Sequence, residues 1–163
     1  MTDRRLSAIL VADAVGFTQR VSADENQAIQ AVSAALAALE ATIEAHGGRT
    51  VKTMGDGILA EFGSVVNAVL AAVTIQDDLA KREADDGTVP GFEFRIGVHL
   101  GDVIVQSNGD ILGDGVNTAA RLETQADVGG VLVSAQVYDQ VVGKADVAFD
   151  NRGERTFKGI PHP

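Results

Sequence analysis

One segment of the sequence combines an acid, an amide and a guanidinium at spacings that could hold a nucleotide. It runs from Asp110 to Arg121, with glycines between the acid and Asn117. Residues four apart on a helix share a face, so Asn117 and Arg121 point into the same space if this segment is helical. Such a pair can hold a ribose and a phosphate while Asp110 contacts a base; the alternative is a solvated helix face.

Two carboxylates lie at positions suited to a metal that handles phosphate. Asp13 ends an apolar run, and Asp56 lies in a Gly-Asp-Gly turn. Metals of this kind usually take one or two carboxylates plus phosphate oxygens and water. If the two segments are neighbouring strands, the carboxylates could hold two ions about 3.5 to 4 Å apart. Taken singly, Asp13 also fits a strand-end cap and Asp56 an ordinary turn residue.

Further residues could contact phosphate. The small-residue turn after Asp13 presents successive backbone amides that suit a triphosphate. Arg95 lies among apolar neighbours, where a guanidinium needs an anionic partner. Lys158 is less distinctive, because a lysine near a terminus is usually solvated.

The three histidines show no metal-ligand spacing and are expected at a helix cap, in packing and in the tail: His46, His99 and His162.

The first half of the chain predicts strands and helices that alternate. An unbroken apolar run is typical of a strand that is buried on both faces, and a capping box marks the start of a helix. The predicted elements are a strand over 6–12, a helix from the Ser22/Glu25 capping box to Gly47, hairpin strands over 50–54 and 58–62, and a helix capped by Ser64.

The second half predicts a further strand pair and two more helices. The elements are strands over 92–99 and 103–106 turned at Gly101-Asp102, a loop over 107–113, a helix over 115–124, a strand over 131–134, a helix over 135–142 and a strand pair around 149–157. Helices that alternate with hairpins favour an α+β fold of the ferredoxin-like sandwich kind, with helices packed on a mostly antiparallel sheet.

Composition limits the possible partners. The chain has 163 residues, of which 45% are apolar, which fits one soluble domain with no tract long enough for a membrane span. A net charge of −10 disfavours nucleic acid, so a nucleotide must be held by local cations and metals. Cysteine is absent, which excludes disulfides and thiolate metal sites but indicates no compartment. No secretory signal is visible, so the cytoplasm is the expected location.

The segments around Asp13, Asp56 and 110–121 together resemble the catalytic domain of the class III nucleotide cyclases. The resemblance covers essentially the whole chain, so 1–163 is expected to be a single cyclase domain. It implies an adenylate cyclase that converts ATP to cyclic AMP and pyrophosphate. It also implies two Mg²⁺ or Mn²⁺ ions per site, held by Asp13, Asp56 and the carbonyl of Ala14.

The resemblance assigns the remaining roles. Lys52 and Asp110 are expected to read the adenine edge, where guanylate cyclases typically carry Glu and Cys. Asn117 is expected to orient the ribose and Arg121 to stabilise charge at the α-phosphate. The residues expected to hold the triphosphate are Arg95, Lys158 and the backbone amides of Val15, Gly16, Phe17 and Thr18.

The resemblance further implies a homodimer with two shared sites. One chain supplies the metals and Arg95, and the other supplies Lys52, Asp110, Asn117, Arg121 and Lys158. The loop 107–109 is short, as in bacterial members, so its part in the dimer contact stays open. The family normally adds one more strand after Lys158, so the chain is expected to be trimmed from a longer protein with a regulatory domain.

Three rivals are compatible with parts of this pattern. A guanylate or promiscuous cyclase is disfavoured by Lys52 and Asp110. A non-catalytic, ATP-sensing dimerisation module is expected to lack a metal acid or Arg121, and this sequence lacks neither. A diguanylate cyclase requires a Gly-Gly-Asp/Glu hairpin, which the Met-Gly-Asp-Gly of residues 54–57 does not provide.

Overall fold

A twisted β-sheet carries most of the candidate residues in the computed structural model, which describes residues 3–85, 93–144, 147 and 149. The elements in chain order are β1 (Asp3–Ala14), α1 (Phe17–Ala23), α2 (Glu25–Ala45), β2 (Arg49–Met54), β3 (Gly57–Phe62), α3 (Val65–Asp85), β4 (Phe94–Val105), β5 (Ile111–Leu112), α4 (Asp114–Gln125), β6 (Val131–Val133) and α5 (Ala135–Val141).

The strands of the described chain form one sheet in the order β2-β3-β1-β4-β5, with β6 also beside β4. Every pairing is antiparallel except that of β4 with β6, which is parallel. Helices separate β1 from β2 and β3 from β4, which is the connectivity of a ferredoxin-like sandwich. The predicted α+β class with a mostly antiparallel sheet is therefore confirmed.

The two faces of β1 are buried under different helices. Ala8 and Leu10 pack into the larger core together with buried residues of α2 and α3. Ile9 and Val11 point the other way, into a smaller core that includes Ala119 of α4. Side chains alternate along a strand, so the next residue on the α4 face is Asp13.

The predicted strand pair with a turn at Gly101-Asp102 is wrong, because β4 runs unbroken through both residues. It pairs with β1 along the full twelve residues of each strand, so its backbone hydrogen bonds continue where a turn was expected. Gly101 serves a tertiary contact instead. A Cβ atom there would lie 3.3 Å from the Cα of Gly115, so the glycine lets α4 lie close on the strand.

The predicted capping box at Ser22 and Glu25 is also wrong. Residues 17–23 form the separate helix α1, and Asp24 caps α2 by accepting a hydrogen bond from the Gln27 amide. An aspartate is as good an N-cap as a serine, and here the chain reorients at Asp24. The apolar spacing along α2 predicts Ile29 on its inward face, but the side chain is 45% exposed.

The other predicted bounds hold with modest changes. β1 extends at both ends beyond 6–12, and the predicted 107–113 loop contains the short strand β5. Ser64 accepts a hydrogen bond from the Asn67 amide at 3.2 Å, as expected for a cap of α3. The predicted strand pair around 149–157 falls almost wholly outside the described residues.

The described histidines have the structural roles expected of them. His46 ends α2, with Nδ1 2.8 Å from the Thr42 carbonyl oxygen. His99 is buried, its Nδ1 lies 2.8 Å from Ser134 Oγ, and burial lowers its pKa. His162 lies outside the described residues.

Helix α2 is long and apolar enough, by length and composition alone, to cross a membrane. The expectation that no tract reaches that length is therefore wrong for its 21 residues. The helix is rich in alanine and packs one side on the sheet, and a core helix of a globular domain meets the same criterion. Its buried residues are Ala28, Val32, Ala35, Leu36, Leu39 and Ile43.

Candidate active site

Asp13 and Asp56 lie together at one end of the sheet. β1 and β3 are neighbours, Asp13 pairs with Gly57, and the Ala14 amide donates to the Asp56 carbonyl at 3.0 Å. Burial raises the pKa of Asp13, and a hydrogen bond with the Asp56 side chain and the charge of that side chain raise it further, to about 6. The predicted convergence of the two carboxylates is present.

Gly57 allows this close approach of the hairpin tip to β1. A Cβ atom at Gly57 would lie 2.8 Å from the Ala12 carbonyl oxygen and 3.3 Å from Asp13 Oδ1. A larger residue would therefore push the tip away from the Asp13 carboxylate. The glycines that flank Asp56 are thus not equivalent, since a Cβ atom at Gly55 would meet nothing within 4 Å and that residue instead supplies the positive φ of the turn.

Arg95 supplies a cation beside the carboxylates. It is the β4 residue that pairs with Asp13, so both side chains emerge on the α4 face of the sheet. The positive charge of Arg95 lowers the pKa of Asp13 and opposes the effect of burial. The half-buried Arg95 guanidinium therefore lies close enough to Asp13 and Glu123 for its charge to lower the pKa of both carboxylates.

The carboxylate pair fits a hard divalent cation. The Asp13 and Asp56 side chains lie within hydrogen-bond distance of each other, so their negative charges repel and a cation between them would be stabilised. No group of three or more potential metal ligands occurs within the described residues. Mg²⁺ is usually held by one or two carboxylates, with water and substrate phosphate completing its shell, so two acids suffice.

One of the backbone amides predicted to bind phosphate after Asp13 is already hydrogen-bonded within the fold. The Val15 amide donates to the Glu93 carbonyl at 2.8 Å, which removes it from the predicted set of phosphate-binding amides. Gly16 adopts a φ of 77° and turns the chain into α1, where Phe17 and Thr18 are the first two residues. The other predicted residues therefore lie in the turn at Gly16 and in the first two positions of α1.

Lys52 and Asp110 meet although they are far apart in sequence. Lys52 Nζ donates to Asp110 Oδ2 at 3.2 Å, and this hydrogen bond holds the pKa of Asp110 below its usual value. The pairing of β2 with β3 shifts register between Thr50 and Lys52. Without this bulge, alternation would point Lys52 away from the α4 face; with it, Lys52 pairs with Leu59, a core residue of that face.

Asn117 and Arg121 both lie on α4, which rests closely on β4. Glycines make this possible, because a Cβ atom at Gly97 would lie 2.4 Å from the Glu123 amide nitrogen. Asn117 is exposed and Arg121 is half-buried. Within the described part of the chain, neither side chain has a hydrogen bond or ion pair. Lys158 falls outside the described residues.

The geometry agrees with a family comparison. A model of the adenylate and guanylate cyclase catalytic domain matches residues 4–162. The chain belongs to this family. The resemblance inferred from the three motifs is thereby confirmed.

Relatives of the cyclase domain carry adenylate cyclase names. "Putative adenylate cyclase 3" of Rhizobium meliloti is 42% identical over 161 residues, which cover 98% of this chain and 27% of that protein. "Adenylate cyclase" of Streptomyces coelicolor is 33% identical over 147 residues, covering 90% and 36%. The chain thus spans only about a third or less of the length of these curated relatives.

A solved structure shares the whole fold. The crystal structure of "Adenylate/Guanylate Cyclase/Hydrolase" from Silicibacter pomeroyi is 34% identical to this chain, with a TM-score of 0.89. The match covers 100% of this chain and 95% of the other. The arrangement of sheet and helices around the candidate site is therefore that of known cyclase domains.

The structure adds Glu123 to the candidate site, a residue that the sequence analysis missed. It is 7% exposed; burial raises its pKa to about 7, with the charge of Asp13 the next largest cause, while Thr124 and Arg95 lower it. No motif in the sequence singles out Glu123. Its spacing of four from the buried Ala119 is the signal that places it on the inward face of α4.

A second group missed by the sequence analysis is an ion-pair cluster on the same face of the sheet, called the Glu61 cluster below. Glu61 is 5% exposed on β3 and accepts hydrogen bonds from Arg5, Ser7 and Arg49. Burial raises the pKa of Glu61, but Arg5, Ser7 and Arg49 lower it more, to about 2. Glu61 occurs in an apolar run, an exception that could have indicated a buried ion pair.

We expect the Glu61 cluster to give the domain an acid-sensitive share of its stability. A folded-state pKa below the ordinary 4.5 contributes stability that is complete above pH 4.5 and lost as pH falls toward 2. The free energy of unfolding of wild type should therefore exceed that of Glu61→Gln above pH 4.5. This difference should shrink by at most about 3 kcal/mol as the pH falls toward 2. Urea unfolding at several pH values measures it, and a pH-independent difference would contradict the assignment.

Proposed function

We propose that this cyclase domain converts ATP to cyclic AMP and pyrophosphate. The observation that carries the proposal is the Lys52–Asp110 pair, held at 3.2 Å on the sheet face that also bears Asp13. The adenylate cyclase names of the relatives agree with it. Guanylate or promiscuous activity remains the rival, because the family includes both cyclase types.

The charges of the pair suit adenine better than guanine. The exocyclic amine of adenine is a hydrogen-bond donor, whereas guanine presents a carbonyl oxygen at that position. Asp110 has a lowered pKa, so it remains an ionised acceptor at neutral pH, and Lys52 can donate only. An acceptor opposite the guanine carbonyl would leave two acceptors facing each other once the base covers the pair, which is costly.

The other residues of the site are assigned to the ribose and the phosphates. We infer that Asp13, Asp56 and the Ala14 carbonyl hold Mg²⁺ or Mn²⁺. Two such ions, when bound, would make the ribose 3′-hydroxyl more acidic and offset the charge of the phosphates. Asn117 orients the ribose, Arg121 acts on charge that develops at the α-phosphate, and Arg95, Lys158 and the 16–18 turn hold the triphosphate.

We further propose that two copies of the domain share each site. One copy would supply the metal acids and Arg95, and the other would supply the base-reading pair and α4. Two exposed apolar side chains near the candidate residues support an interface with a second copy at this place. Met54, 44% exposed, lies beside the Asp56 turn, and Leu112, 45% exposed, lies two residues after Asp110. A symmetric dimer of this kind contains two sites.

The direct test is to incubate the pure protein with ATP and Mn²⁺, and separately with GTP, and to separate the products. Cyclic AMP from ATP with little cyclic GMP is the expected result. Comparable amounts of both products would favour a promiscuous cyclase. Binding of ATP without product would favour an ATP-sensing module and contradict the proposal.

Base choice should depend on Lys52 and Asp110. The double variant Lys52→Glu with Asp110→Cys should lower the ratio of kcat/KM for ATP over GTP by at least about tenfold, because buried polar groups that match one base edge reject the other. Lys81→Glu, which reverses an exposed charge on α3, is the matched control and should leave the ratio unchanged. Retention of the full preference by the double variant would mean that the base is read elsewhere.

A further inference from the structure

A series of contacts joins the buried carboxylate of Glu61 to the base-reading loop. Glu61 Oε1 accepts a hydrogen bond from Arg49 Nε at 3.0 Å, and Arg49 Nη2 donates to the Gly109 carbonyl at 2.8 Å. Gly109 immediately precedes Asp110, which binds Lys52. We propose that Arg49 is a positioning residue for base selection, which acts by fixing Asp110 and is itself fixed by Glu61. This inference rests on the proposed function.

Arg49 is well suited to fix a loop because a buried carboxylate, that of Glu61, holds its own guanidinium in place. The Glu61 residue that it contacts is only 5% exposed. Arg5 and Ser7 also donate hydrogen bonds to the Glu61 carboxylate, each with a shortest distance of 2.6 Å. Charge-assisted hydrogen bonds of this kind are short and directional. The Glu61 cluster therefore forms a rigid support on the sheet, from which one nitrogen of Arg49 reaches the loop.

The loop is shaped internally but attached to β2 by two side chains. The Gln106 amide donates to the Asp110 carbonyl at 2.8 Å, and the Gly109 amide donates to the Gln106 carbonyl at 2.9 Å. These bonds set the form of the loop, the pairing of β4 with β5 fixes its two ends to the sheet, and the Ile111 amide donates to Asp110 Oδ1 at 2.8 Å. Arg49 and Lys52, both on β2, contact the Gly109 carbonyl and the Asp110 carboxylate. Arg49 holds the loop backbone at Gly109, so the Asp110 carboxylate is presented to the base in a fixed position.

The contact requires the forked shape of arginine. Nε and Nη2 both lie 3.0 Å from Glu61 Oε1, and Nη2 also donates to the Gly109 carbonyl at 2.8 Å, so one planar group makes all three contacts at once. A lysine offers a single nitrogen and cannot keep the two-nitrogen contact with Glu61 together with the contact to Gly109. The simpler interpretation is that the Glu61 cluster only stabilises the fold of this part of the sheet. In that case Arg5, which makes two hydrogen bonds to Glu61, should matter as much as Arg49.

The test compares Arg49→Lys, Arg49→Gln and the matched control Arg5→Gln for kcat and KM with ATP and with GTP. The Arg49 variants should lower the ATP-over-GTP ratio of kcat/KM by about tenfold, mainly through a higher KM for ATP, because a displaced Asp110 loses adenine contacts. Arg5→Gln removes one partner of Glu61 but leaves Arg49 bonded to it, so its ratio should fall by much less than that of the Arg49 variants. Unfolding curves for each variant establish that the domain is folded.

A second arm asks whether Arg49 acts through Asp110. In an Asp110→Ala background, Arg49→Gln should cause no further fall in the ratio, since the group that it positions is gone. A further fall there, an equal fall in Arg5→Gln, or an unchanged ratio in both Arg49 variants would overturn the inference. The proposed function fails separately, if wild type forms no cyclic AMP; the ratio of ATP to GTP binding, measured by calorimetry, then tests Arg49 in its place.

Discussion

Asp13→Ala and Asp56→Ala should each reduce cyclic nucleotide formation at least about a thousandfold, to background. Each variant leaves one carboxylate at the end of the sheet where two converge. A metal ion that offsets phosphate charge stabilises the transition state by several kcal/mol, so its loss removes most of the turnover. Product formation by each pure variant, with saturating Mn²⁺ and ATP, measures the effect.

The fold should survive both changes. Asp13 prefers to be protonated in the folded chain, with a pKa of about 6 against an ordinary 3.8, so its ionisation lowers stability as pH rises through that range. Removal of the carboxylate at pH 7 without metal should therefore leave the unfolding midpoint at or above that of wild type. A lower midpoint in Asp13→Ala would show that the carboxylate supports the fold.

The matched control is Asp77→Ala. Asp77 is an exposed acid on α3, which packs on the opposite face of the sheet from α4. This variant removes a carboxylate of the same type without approaching the site, and it should keep wild-type activity. Unchanged turnover in Asp13→Ala or in Asp56→Ala would contradict the metal assignment.

The sequence predicted the features that depend on local pattern. β3 and α3 follow from apolar periodicity and a serine cap, and the meeting of Asp13 with Asp56 follows once their segments are taken as adjacent strands. The start of α2 was placed wrongly because Ser22 and Asp24 are both good caps and only the packing of α1 decides between them.

Tertiary contacts determined what the sequence did not reveal. Gly101 was read as a turn because a glycine that admits a helix and a glycine that turns the chain look alike in sequence. The bulge before Lys52 exists only in the register of β2 with β3. Glu123 and Glu61 are buried charges whose partners are far away along the chain, so their roles become visible only when strands and helices are assembled.

The shared-site proposal predicts that two inactive variants restore each other. Asp13→Ala and Asn117→Ala should each be nearly inactive as homodimers, because every site lacks a metal acid in the first and the ribose contact in the second. A heterodimer contains one site that joins the intact Asp13 of one chain with the intact Asn117 of the other. Its second site collects both defects.

The expected recovery follows from counting sites. With random exchange about half of the dimers are mixed, and each has one working site of two, so activity should approach about a quarter of wild type. Recovery should rise with total protein concentration, because the working species forms by association. Activity of the mixture across a dilution series, compared with the two components alone, measures both effects.

A second mixture separates complementation from simple exchange of subunits. Asp13→Ala mixed with Asp56→Ala should stay inactive, because both acids belong to the same half of the site and every site in the heterodimer lacks one of them. Recovery with Asn117→Ala but not with Asp56→Ala therefore assigns the two halves to different chains. If heterodimers form and the first mixture is no more active than its components, each site lies within a single chain, and Asp13 and Asn117 must then act from the same copy.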